Sequence, residues 1–99
     1  MTEKINQTAR ALRIIDALKG KSLTGLSNKE LADRLNESPV NISRTIAILT
    51  DEGFVAKLEN GYYALSTKIT QIGVTHLTEL DNAKNRLDQL AQRSAVLLG

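Results

Sequence analysis

Apolar residues return every three or four positions between about residues 6 and 19. Leu12, Ile15 and Leu18 line one stripe, with Ala11 and Ile14 beside it, and Gly20 supplies a stop. Residues 22–25 read as a connecting loop. Ser27 followed three positions on by Glu30 is the reciprocal pair of a capping box, which predicts a second helix with Leu31 and Leu35 on one face. Asn36-Glu37-Ser38 breaks that pattern after barely two turns. A third helix opens at once, with Ser38 as its cap and Pro39 at the first helical position, where the missing N–H costs nothing. Ile42, Ile46 and Leu49 form its inward stripe and Gly53 ends it. Two short helices joined by a three-residue turn make a helix-turn-helix unit. The apolar pattern then shortens over residues 54–58 and 62–65, on either side of Glu59-Asn60-Gly61. Asn-Gly favours the positive φ angles of a tight type I′ hairpin. A hairpin directly after a helix-turn-helix turns the simple motif into its winged form, and this ordering is the most specific feature of the chain.

Helical spacing resumes over residues 68–72, with Gly73 as a candidate break. From residue 74 onward Leu80, Ala83, Leu87, Leu90, Ser94 and Leu97 alternate in steps of three and four, and Leu77 extends the stripe. Asn82, Asn85, Arg86, Gln89 and Arg93 lie opposite. This stripe either folds back on the core of its own chain or pairs with its twin in a second protomer. The second reading is preferred, because the segment is long for so small a chain and paired DNA half-sites raise specificity. Leu77, Leu80, Leu87, Leu90 and Leu97 are then the dimerisation residues, although Ala83 and Ser94 weaken the seam. The expected architecture is mainly α with a small β-hairpin: a winged helix-turn-helix over residues 1–73, followed by a long C-terminal amphipathic helix over residues 74–99.

Ninety-nine residues suffice for one compact core plus an appended helix. With no cysteine, disulfides and thiolate metal sites are excluded. Residues 1–10 lack the apolar core of a signal peptide, and no run is long enough to span a membrane, so a cytoplasmic location is expected. The net charge of +2 is only mildly basic. Its distribution says more, since Lys4, Arg10, Arg13, Lys19, Lys21, Lys29, Arg34, Arg44, Lys57 and Lys68 precede a neutral final stretch. Any attraction for phosphate belongs to the front of the chain. His76, the single histidine, has neither an acidic pair at ligand spacing nor a nucleophile beside it, and the six glycines are dispersed over turns and helix ends. Neither a metal, a cofactor nor a catalytic site is expected, which argues against an enzyme.

The chemistry lies on the third helix. A major groove admits one α-helix, and each base pair presents a distinct donor and acceptor pattern there. Asn41 suits adenine, Arg44 suits guanine or phosphate, and the methyl of Thr45 suits thymine. Ser43 is a further polar candidate, and Ser38, with Pro39 at the helix start, suits a backbone phosphate. Lys29 on the second helix, and Lys57 and Asn60 around the wing, are candidate backbone contacts, with Arg34 and Lys68 weaker ones. Each of these residues taken singly is equally an ordinary solvated side chain. Tyr62 and Tyr63 serve hairpin packing; only one of them can face inward, and the other is a weak candidate for a backbone contact.

Read in order, these segments resemble the N-terminal DNA-binding domain of the IclR family of bacterial regulators. The resemblance rests on Ala11-Leu12-Arg13-Ile14-Ile15-Asp16-Ala17-Leu18, Leu31-Ala32-Asp33-Arg34-Leu35 and Asn41-Ile42-Ser43-Arg44-Thr45-Ile46-Ala47-Ile48-Leu49. It continues through Glu52-Gly53-Phe54-Val55, Gly61-Tyr62-Tyr63-Ala64-Leu65 and Ile72-Gly73, and more loosely through Leu77-Thr78-Glu79-Leu80-Asp81 and Leu87-Asp88-Gln89-Leu90-Ala91. The resemblance implies a winged helix that binds palindromic double-stranded DNA as a homodimer and controls transcription, with Asn41, Ser43 and Arg44 at recognition-helix positions. Pro39-Val40 departs from the small-polar and basic pair common there. The chain ends where the family's small-molecule domain should begin, so no built-in effector domain is expected; a freestanding bacterial or phage regulator, or an excised domain, fits. Two other readings stay open. One is a DNA-architectural or replication and packaging accessory with little base readout, and the other is a winged-helix protein-interaction module.

Overall fold

The computed structural model describes residues 6–98, with side chains through residue 96. Lys4 and the side chain of Leu97 lie outside the described residues. Among these, four helices and one hairpin follow the expected order: α1 (Gln7–Ala17), α2 (Asn28–Leu35), α3 (Pro39–Asp51), β1 (Val55–Lys57), β2 (Tyr63–Leu65) and α4 (Thr67–Leu98). Contacts divide the chain into two units, Met1–Ile69 and Thr70–Gly99.

Each of the first three helices starts on a side-chain cap that satisfies an otherwise unpaired amide. Asn6 accepts from the Ala9 amide at 2.8 Å. At α2 the box is complete, with the Glu30 amide donating to Ser27 Oγ and the Ser27 amide to Glu30 Oε1, both at 3.1 Å. Those two Ser27 contacts, the amide first, hold the Glu30 carboxyl below its ordinary range. Ser38 caps α3 through the Asn41 amide at 3.1 Å, with Pro39 in the first turn. α2 ends in the left-handed conformation at Asn36 (φ 53), where the Glu37 amide reaches back to the Ala32 carbonyl. α3 ends likewise at Gly53 (φ 83), with the Phe54 amide on Leu49 and the Gly53 amide on Thr50, a Schellman arrangement.

Ile14 of α1 and Leu18 at its C-cap, Leu31 and Ala32 of α2, Ile42, Ile46 and Leu49 of α3, and Leu26 and Val55 share one core. The stripe expected on α1 is rotated. Leu12 is 63% exposed, while Ala11, Ile14, Ile15 and Leu18, at steps of three, one and three, face inward. Both phases carry several apolar residues, so periodicity alone could not choose between them. On α3 the inward stripe gains Thr45, which is fully buried.

The hairpin pairs Val55 with Leu65, Ala56 with Ala64 and Lys57 with Tyr63. Its turn is not type I′. Asn60 does not have positive φ; only Gly61 does (φ 85), and the Gly61 amide donates to the Leu58 carbonyl while the Leu58 amide donates to Tyr62. Glu59, Asn60 and Gly61 thus form a three-residue loop, for which a type I turn followed by a left-handed glycine is the common solution. Leu26 adds a further rung on the other side of β2, exchanging both backbone hydrogen bonds with Tyr63 at 2.9 and 2.8 Å. Gly25 (φ 72) lets the chain pass close to the wing: a Cβ there would lie 2.9 Å from both Tyr62 Cβ and the Tyr63 carbonyl oxygen.

α4 is continuous, and Gly73 lies inside it without breaking it. From residue 70 to residue 96 its side chains are exposed. Lys84 and Asp88 form an i,i+4 ion pair at 3.6 Å on its surface. No helix among the described residues is long and apolar enough to cross a membrane.

Candidate nucleic-acid interface

The inward side chains of α3 fix which of its residues remain outside. With Ile42, Thr45, Ile46 and Leu49 turned to the core, Val40, Ser43, Arg44, Ala47, Ile48, Thr50 and Asp51 are exposed and Asn41 lies half-buried at the margin. Thr45 therefore cannot offer its methyl to a base. Its hydroxyl donates to the Asn41 carbonyl at 2.9 Å, the satisfaction expected of a buried helical threonine. The helical spacing did contain this answer, since position 45 falls between Ile42 and Ile46 on the same face; the polar residue type hid it.

Two other polar residues expected on this helix are engaged within the protein. Asn41 Nδ2 donates to Glu37 Oε1 at 2.9 Å, and Asn28 Nδ2 donates to Ser43 Oγ at 2.7 Å and to the Pro39 carbonyl at 3.3 Å. Asn28 thereby ties the first turn of α2 to the first turns of α3, and leaves the Ser43 hydroxyl proton to donate elsewhere. Glu37 is the centre of a larger network. Its carboxylate also accepts from the Ser38 amide at 3.2 Å and from Arg10 Nε at 3.0 Å, and Arg10 Nη1 reaches Thr45 Oγ1 at 3.4 Å. The Asn41 amide, then Arg10, hold the Glu37 carboxyl below its ordinary range. Neither Glu37 nor Asn28 was singled out from sequence. A polar residue in a turn, or in a first helical turn, has no pattern that separates it from a solvated one.

Arg44 stands exposed in the middle of the outward strip, with no hydrogen-bond or ion-pair partner among the described residues. Lys29 is exposed on the first turn of α2. Arg34 makes no close ion pair with Glu30 and acts on it only at longer range. On the wing, Lys57 Nζ lies 6.0 Å from the Tyr63 ring centroid. Asn60 is occupied by the turn, accepting from the Tyr62 amide at 2.9 Å and donating to the Thr24 carbonyl at 3.3 Å. Tyr63 packs on the core and Tyr62 is the exposed member of the pair. Lys68 is structural: Nζ donates to the Glu52 carbonyl at 2.9 Å and sits 4.9 Å from the Phe54 ring centroid, closing the C-terminal end of α3. Beside it the Ser66 hydroxyl donates to the Gly53 carbonyl and the Ser66 amide to Phe54. His76 is an exposed residue of α4, and no group of three or more potential metal ligands occurs among the described residues.

No curated protein matches the chain in sequence. Solved structures do match in fold. An IclR family transcriptional regulator from Brucella abortus superposes with a TM-score of 0.65 at 23% identity, over 81% of this chain and 32% of its own. The Thermotoga maritima IclR gives 0.62 at 25% identity, over 76% of this chain and 30% of its own. The Agobacterium tumefaciens repressor BlcR gives 0.62 at 26% identity, over 88% and 35%. The chain thus spans about a third of the length of these proteins. Residues 7–59, from the start of α1 to the tip of the wing, match the IclR helix-turn-helix domain. The chain belongs to the IclR helix-turn-helix domain family.

Proposed function

We propose that this chain reads DNA sequence for a cytoplasmic transcription regulator of bacterial or phage origin, and that it does so as a homodimer on a palindromic site. The observation that carries the reading is Arg44: a cation without a partner among the described residues, in the middle of the outward strip of the second helix of a family helix-turn-helix. α3, with its end at Gly53, lies in the major groove over about residues 39–53. The Ser38 hydroxyl and the Val40 amide meet a phosphate, Lys29 and Lys57 add charge on either side, and Arg44 takes guanine. Ser43 donates its remaining proton, and Asn41 contributes from the margin. The exposed leucines of α4, Leu77, Leu80, Leu87 and Leu90, form the seam with a second copy. No catalytic step is assigned to any residue.

Selection of genomic fragments by the purified protein at near-physiological salt, read by sequencing, tests this. Enrichment of one inverted repeat is expected. Uniform capture of unrelated fragments, lost as salt rises, would replace the reading with an architectural role. Absence of DNA binding even at low salt would replace it with a protein-interaction role.

A further inference from the structure

The outward strip of α3 is less polar than a base-reading helix built on Asn41, Ser43 and Thr45 would be. Thr45 is buried, Asn41 is held by Glu37 and Ser43 by Asn28. Positions 40, 44, 47 and 48 fall on successive turns of one strip, and they hold Val40 (58% exposed), Arg44, Ala47 and Ile48 (43% exposed). Val40 and Ile48 are β-branched, which gives them no advantage in a helix, and neither belongs to the core. The charges on the same strip identify the occupant. Arg44 lies between the two apolar side chains, the N-terminal end of the helix lies beyond Val40 with the Glu37 carboxylate there paired to Arg10, and exposed Asp51 and Glu52 close the far end. A polyanion therefore meets the strip from its N-terminal side. Among the base edges of the major groove, the C5-methyl of thymine is the apolar group.

Resting on the DNA-reading role above, we propose that Val40 and Ile48 are specificity-determining residues that recognise thymine methyl groups flanking the base taken by Arg44. Each methyl buried against its side chain strengthens binding about fourfold, the worth of one buried methylene.

The test uses the operator enriched by the selection above. Each thymine is replaced singly by uracil, which removes the methyl and leaves every hydrogen-bonding group in place, and affinity is read by fluorescence anisotropy. Wild-type protein is expected to lose about fourfold at the thymines it reads. Val40→Ala and Ile48→Ala, both at exposed sites, are expected to bind the thymine and uracil duplexes alike, each at its own position. Equal affinity of the wild-type protein for all uracil-substituted duplexes overturns the proposal while leaving the regulator reading intact, as does unchanged discrimination in both variants. Failure of the selection to enrich any motif overturns the DNA-reading role and this inference with it.

Discussion

Glu37 shows how one side chain in a tight turn can set the face of a neighbouring helix. Its carboxylate accepts from Asn41, from the Ser38 amide and from Arg10, and these contacts are strongest while it is ionised. Because these partners lower the Glu37 pKa in the folded state, its contribution to stability is present above the ordinary value of 4.5 and is lost as pH falls through the folded value. Wild-type protein is therefore expected to lose stability more steeply than Glu37→Gln between about pH 7 and about pH 3. Urea midpoints at the two pH values measure this, and parallel losses in both proteins would remove Glu37 from the account. At Arg44 the expectation concerns binding alone. Arg44→Ala should cost about 1–3 kcal/mol of operator affinity and relax preference at one base position. Retained affinity with retained preference would take Arg44 out of the readout. Arg44 was legible in the sequence as an exposed cation on a recognition helix. The engagement of Asn41 and Ser43 was not, because it depends on Glu37 and Asn28, which reach α3 from the turn and from the preceding helix.

At the scale of elements, the starts of α2 and α3 were legible because caps are local: Ser27 with Glu30, and Ser38 with Pro39, carry their own hydrogen-bond logic within four residues. The phase of α1 was not, because its apolar residues fill more than one face and the choice is made by what packs on it. The wing was legible as a hairpin and misread in its turn, since Asn60-Gly61 suits several loop types and the three-residue length decides among them. Gly25 is the least legible of the structural glycines, as its neighbours Tyr62 and Tyr63 are distant in sequence. Its positive φ and the two 2.9 Å approaches leave no room for a side chain. Gly25→Ala should destabilise the fold by roughly 1–3 kcal/mol, from backbone strain alone. An unshifted urea midpoint would show that the loop yields freely.

At the scale of the whole molecule, the long helix was legible as an amphipathic stripe, and Gly73 was misread as a break. A single glycine costs a helix only about 1 kcal/mol, too little to interrupt a run of this length. The stripe carries the homodimer proposed above. Leu87→Asp combined with Leu90→Asp, both at exposed sites, is expected to yield folded monomers with weakened operator binding. Sedimentation velocity reads the outcome, and a profile unchanged by the pair would place the seam elsewhere. In the first unit, the Leu26–Tyr63 rung has its own consequence. All of α2 and α3 lies between those two residues, so two backbone hydrogen bonds buckle the ends of the helix-turn-helix together. The loop that leads into the motif and the second strand of the wing are therefore joined directly through the backbone. A chain truncated just before Tyr63 keeps every residue of the recognition helix, yet strands both backbone groups of Leu26 and opens the loop that encloses it.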